Sequence, residues 1–109
     1  MKIRRIYDLE ELKGSQRKYL RGLAHNLNPA AFVGQKGLTQ TLIDEINLAL
    51  DASELIKIKF NDFKEKEQKI ALSEEIAKKT KCHITGMIGH VVVLYRQQEN
   101  KEKRKIKLK

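Results

Sequence analysis

The sequence predicts an α/β fold: a compact single domain of order α-β-α-β-α-β-β, with a four-stranded mixed sheet packed with helices. Three observations predict it. Apolar residues recur at helical spacing in three segments, short apolar or strictly alternating runs separate them, and the last two such runs lie close enough to form a hairpin. Helices that join consecutive strands require parallel crossovers, which lay helices against the sheet. The chain of 109 residues has room for one modest core.

Ser15 reads as an N-cap, followed by Leu20, Leu23, Ala24 and Leu27 at helical spacing. Pro29 ends this helix, because the residue before a proline is pushed out of the α region. Ala30-Ala31-Phe32-Val33 is a short apolar run of strand type, and Leu42, Ile43, Ile46 and Leu50 mark a second helix that begins near Thr39. Leu55 to Phe60 alternates, with Ile56, Ile58 and Phe60 on one face and Lys57 and Lys59 on a wet face. A third helix is expected from Lys64 to Lys79, buried through Ile70, Leu72, Ile76 and Ala77, with both signs of charge on its solvated side. Cys82–Thr85 and His90–Arg96 form the hairpin, with Gly89 at or near its turn.

The formal net charge is +9, from 23 Lys and Arg against 14 Asp and Glu. A balance of this size bears on partners rather than on fold, and nucleic acid is the natural polyanion. The excess is spread along the chain. Residues 98–109 carry Lys101, Lys103, Arg104, Lys105, Lys107 and Lys109 against Glu99 and Glu102, residues 1–12 are neutral overall, and the folded middle holds the remainder. The last residues lack an apolar period and are expected to form a flexible basic tail. Cys82 is the single cysteine, which excludes an internal disulfide and a multi-cysteine zinc site. No apolar run is long enough for a signal peptide or a membrane span, so a cytoplasmic protein is expected.

Val33-Gly34-Gln35-Lys36-Gly37-Leu38-Thr39 concentrates the chemistry. Glycines allow close backbone approach and positive φ, and the amides that open the next helix favour anions. Lys36 adds a mobile cation. Taken alone, this stretch could also be a tight strand-to-helix connection. A second pair of glycines, Gly86-Met87-Ile88-Gly89, has apolar inner residues and no helix after it, and reads as strand end plus turn. Arg17, Arg21 and His25 fall at i, i+4 and i+8, with Lys18 beside them. They form either a solvated face or a cationic stripe along a phosphate backbone, and His25 could equally cap its helix. Lys57 and Lys59 mark either a guard against aggregation or an open sheet face. Tyr95 alternates with Val91 and Val93 and is assigned to the core. Arg96 points the other way, as a contact residue. Cys82 and His83 are strand neighbours on opposite faces, unsuited to sharing a proton, and His83 and His90 are assigned structural roles. No catalytic residues, metal ligands or cofactors are expected.

Four blocks then carry a resemblance: Leu20-Arg21-Gly22-Leu23-Ala24-His25 with Pro29, the Val33–Thr39 stretch, Glu54-Leu55-Ile56-Lys57-Ile58, and Val93-Leu94-Tyr95-Arg96. Together they resemble the CRM domain (chloroplast RNA splicing and ribosome maturation), and the free-standing bacterial YhbY-type members match best in length and layout. The resemblance implies a fold similar to the C-terminal domain of translation initiation factor three. It also implies binding to RNA in precursors of the large ribosomal subunit, with Gly34-Gln35-Lys36-Gly37 as a GxxG loop similar to the backbone clamp of KH domains. The expected layout is an extension over residues 1–11, an RNA-binding domain over 12–97 and the tail over 98–109. The protein is expected to act as a monomer, without a membrane or small-molecule partner. The expected RNA contacts are Gly34, Gln35, Lys36, Gly37, Arg17, Lys18, Arg21, His25, Lys57, Lys59 and Arg96. The alternative is a protein-docking module whose basic face meets an acidic partner or a ribosomal protein.

Overall fold

Seven elements form in the expected order: α1 (Gly14–Ala24), β1 (Ala31–Val33), α2 (Gln40–Ser53), β2 (Leu55–Phe60), α3 (Lys66–Thr80), β3 (His83–Ile88) and β4 (Val91–Tyr95), followed by one 3-10 turn at Lys101–Lys103. The computed structural model describes residues 11–108, so all but the last residue of the expected 1–11 extension lies outside the described residues. The sheet order is β1-β2-β4-β3. β1 runs parallel to β2, and β4 pairs antiparallel with both β2 and β3. β2 is therefore internal, and the crossover through α3 leaves a gap that β4 fills by returning from β3.

Alternation along the strands gives each sheet face its own helix layer. Ala31, Val33, Ile56, Ile58, Phe60, Val92 and Leu94 pack with Ile43, Ile46 and Leu50 of α2 and Ile76 of α3. On the other face, Leu20 and Ala24 of α1 pack with Leu55, Val93 and Tyr95. Burying each such large side chain contributes roughly 1.5–3 kcal/mol. α2 forms as its sequence predicts: Thr39 caps it, its Oγ1 accepting from the Leu42 N–H at 3.1 Å, and Leu42, Ile43, Ile46 and Leu50 make the buried stripe.

Four expectations need correction. α1 begins at Gly14 with Lys13 as its N-cap; the Lys13 N–H donates to Gln16 Oε1 at 2.8 Å, and Ser15 lies inside the first turn. Leu23 is exposed because α1 lies on a narrow strip of sheet that Leu20 and Ala24 fill, and Leu27 is exposed in the loop after the helix, which ends at Ala24. The buried stripe of α3 is Lys69, Ser73, Ile76 and Thr80, while Ile70 is exposed. Lys69 and Thr80 are tolerated there because Lys69 Nζ reaches the Gly89 carbonyl at 2.6 Å and the Thr80 hydroxyl donates to the Ile76 carbonyl at 2.7 Å, whereas the buried Ser73 hydroxyl has no hydrogen-bond partner among the described residues.

The fourth correction concerns the tail. Residues 98–108 fold back onto the far end of the sheet instead of trailing away. Buried Glu54 accepts backbone N–H donors from Gln98 at 2.9 Å, Lys105 at 2.6 Å and Ile106 at 3.1 Å. Ile106 and Leu108 pack on the α1 side of the core. The latch was hidden because its donors are main-chain groups, which no side-chain pattern reveals.

Candidate nucleic-acid interface

The Gly34–Gly37 turn sits where β1 meets α2. The Gly37 N–H donates to the Gly34 carbonyl at 3.0 Å, and Gly37 has φ +67°, a conformation that side chains with a Cβ resist. Gln35 and Lys36 are exposed at its tip. The Thr39 side chain satisfies Leu42, so the amides of Gln40 and Thr41 have no intrahelical partner. The turn and Phe32 line one open recess with Thr39, Thr41 and Leu42, and one acid, Glu45, shares it.

A cationic rim continues from this turn along the same end of the sheet. Phe63 (φ 55°) sets its ring against Gly37 and carries the chain into Lys64. At the β3–β4 turn Gly89 has φ +58°, and the His90 carbonyl accepts the Phe60 N–H at 2.8 Å. Lys69 Nζ lies 3.2 Å from His90 Nδ1. The His90 imidazole is held below its ordinary value, first by desolvation of the ring and then by the like charges of Lys69, Lys64 and Lys59. Lys59 and Lys64 are exposed and can meet an approaching anion, whereas Lys69 is buried with its ammonium on the Gly89 carbonyl.

α1 flanks this rim. At 3.6 residues per turn Arg17, Arg21 and the C-cap His25 fall on one side of the Leu20–Ala24 stripe, and Gln16 and Leu23 on the other. Gln16 lines a recess with His83 and Tyr95, whereas Arg17 lines one with Gly86, Met87 and Gly89. The basic flank therefore looks toward the end of the sheet that carries the glycine turn. Lys18 and His25 on this flank are exposed, and Lys59 is exposed on the sheet beside it.

Residues 12–96 of the chain match the family described as the CRS1/YhbY (CRM) domain. The chain belongs to that family. Among its relatives, an RNA-binding protein of Haemophilus influenzae is 41% identical over 88 residues, spanning 81% of this chain and 88% of that one. The probable RNA-binding protein YqeI of Bacillus subtilis is 37% identical, over 89% of this chain and 98% of its own. The solution structure of SAV1595 from Staphylococcus aureus, a candidate RNA-binding protein, superposes with a TM-score of 0.76 at 35% identity, covering 91% of this chain and 100% of that one.

Four of the expected contact residues hydrogen-bond within this CRM domain, and one of them, Arg17, stays exposed while its Nη1 donates to the Leu12 carbonyl at 2.5 Å. Arg96 donates to Asn47 Oδ1 at 2.7 Å, the Thr80 carbonyl at 2.6 Å, the Asn47 carbonyl at 3.0 Å and Asp51 Oδ1 at 2.8 Å. It clamps α2 to α3 and does not join the glycine turn. Lys57 Nζ donates to the carbonyls of His25 at 3.0 Å and Leu27 at 3.1 Å, closing the C-terminal end of α1. Its side of the sheet is thus covered by α1 where an open face was one expectation. Arg21 donates to the Thr85 carbonyl at 2.9 Å and lies over Gly86, where a Cβ would come within 2.4 Å of Arg21 Cδ. Gly86 thus serves the packing of α1, beside the bulge that carries β3 on to Ile88.

Sequence reasoning missed Lys64, Lys69 and His90, which come together only through the β3–β4 turn. It also missed Phe32, whose exposure follows from alternation between buried Ala31 and Val33. Cys82 is buried, and burial pushes its thiol up to about 11, which keeps it protonated and a poor nucleophile near neutrality. His83 stacks on Tyr95 with ring centroids 6.2 Å apart, and burial lowers its pKa from 6.5. The unfolded chain therefore binds the proton first, so stability holds above about pH 6.5 and falls as the pH drops below it. Denaturant midpoints measured from pH 7.5 to pH 5 are expected to decline, and His83→Phe to flatten the curve.

Proposed function

We propose that this CRM domain binds structured RNA through the glycine-turn end of its sheet, acting as a monomeric cytoplasmic assembly factor on precursors of the large ribosomal subunit. The observation that carries the reading is the exposed tip of the Gly34–Gly37 turn, with Lys36 on it and helix amides that have no intrahelical partner behind it. Relatives named for RNA binding support the ligand class. Loop amides and Lys36 hold one phosphate. Lys59, Lys64, Arg17 and Lys18 extend the positive track, and His25 stands at its α1 end.

The domain acts by binding rather than by turnover: the cations hold phosphates, and RNA shape supplies selection. With about four phosphates neutralised, the logarithmic salt slope should be about −3 for single strands and steeper for duplexes. Titration of labelled RNA across salt concentrations measures it, and a slope near zero refutes the phosphate track. Sedimentation of cell extracts tests the ribosomal part: the protein should travel with immature large subunits, and its absence from those fractions removes that assignment. Among the described residues no helix is long and apolar enough to cross a membrane.

A further inference from the structure

Among the described residues, one row of the sheet on the α1 side has no helix over it. Phe32 pairs with Lys59, Lys59 with Val91 and Val91 with Ile88, so all four strands contribute one residue to a continuous cross-strand line. Alternation sets this line on the same face as Leu55, Val93 and Tyr95, which α1 buries. The last turn of α1, however, is tied down at Lys57, one row earlier. Beyond it Phe32 is 50% exposed and Ile88 63% exposed. Phe32 and Ile88 stand at the two edges of the row with exposed Lys59 and half-buried Val91 between them, so apolar side chains and a cation share one open strip of sheet.

We propose that this row is a platform for the bases of an unpaired RNA segment whose phosphate is held at the Gly34–Gly37 turn. The inference rests on the RNA reading above and names the part of the RNA that the sheet takes. Phe32 lines the same recess as the glycine turn, so a base can rest on its ring while the adjoining phosphate meets the loop. The recess holds about 410 Å³, within the roughly 300–1,000 Å³ of small-ligand sites. Lys59 stands exposed in the middle of the row and exposed Lys64 lies at the rim, which suits a polyanion and repels a basic partner. A four-stranded sheet with exposed aromatic side chains carries two or three stacked bases in other RNA-binding folds. A paired helix cannot use such a row, because its base faces are already stacked.

The chain contains no tryptophan, so Phe32→Trp introduces a single reporter at the platform. Unpaired oligoribonucleotides should quench its fluorescence, while a duplex of the same sequence should not. Phe32→Ala should weaken binding of the unpaired RNA by about 5- to 100-fold, with duplex affinity and melting temperature unchanged. Equal quenching by both RNAs, or Phe32→Ala binding unpaired RNA as tightly as the wild type, overturns the platform and leaves the phosphate track standing. A wild-type chain without salt-dependent RNA binding overturns both.

Discussion

Replacing Lys36 by glutamate is expected to lower RNA affinity by more than tenfold at physiological salt, with the melting temperature unchanged. Lys36 is exposed at the tip of the turn. Its ammonium can approach a phosphate to about 4 Å, where a pair of unit charges is worth about 1 kcal/mol in bulk water and more near a protein surface. The substitution removes that attraction and adds a repulsion of similar size, so the two effects together exceed a factor of ten. The loss should apply to paired and unpaired RNA alike, since phosphates carry no sequence information. The salt slope should also become shallower by about one unit or more. Fluorescence anisotropy at several salt concentrations, alongside a thermal melt, measures all three quantities. Unchanged affinity would make the turn only a connection between β1 and α2, and would leave the basic face for an acidic protein partner.

The order of elements was legible because each signal is local. Thr39 and the Leu42–Leu50 stripe specify α2 through capping and spacing alone, and the alternation of β2 separates Ile56, Ile58 and Phe60 from Lys57 and Lys59. The glycine turn was legible for the same reason. Arg96 was misread because its partners Asn47 and Thr80 are 49 and 16 residues away, and alternation gives direction but not what waits there. Arg21 and Lys57 were misread in the same way: each looks like a solvated cation until another element supplies a carbonyl. The phase of α3 failed because Lys69 and Ser73 are polar, so an apolar template slides past the true buried stripe. What sequence periodicity cannot show is which main-chain groups meet which side chains across the fold.

Glu54 is the clearest case, and its removal should cause the largest loss of stability. It stands at the C-terminal end of α2 with φ 64° and is 1% exposed. Its two carboxylate oxygens accept three main-chain donors, at 2.9, 2.6 and 3.1 Å. Hydrogen bonds to a charged acceptor are each worth about 1.5–3 kcal/mol, but the donors can retreat into water if the tail lifts away. Glu54→Ala should therefore cost about 2–4 kcal/mol, below the full sum of the three bonds. For a domain of this size that is a fall of roughly 10–25 °C in melting temperature. Glu54→Gln retains one acceptor oxygen and should fall between. Hydrogen exchange should show the amides of Gln98, Lys105 and Ile106 losing protection first, while the Phe60 amide, which donates to the His90 carbonyl at the other end of β2, keeps its own. Deleting residues 98–109 should destabilise the wild type by a similar amount but add little to Glu54→Ala, since both changes undo the same latch. Strictly additive losses would mean that Glu54 and the tail stabilise the domain independently.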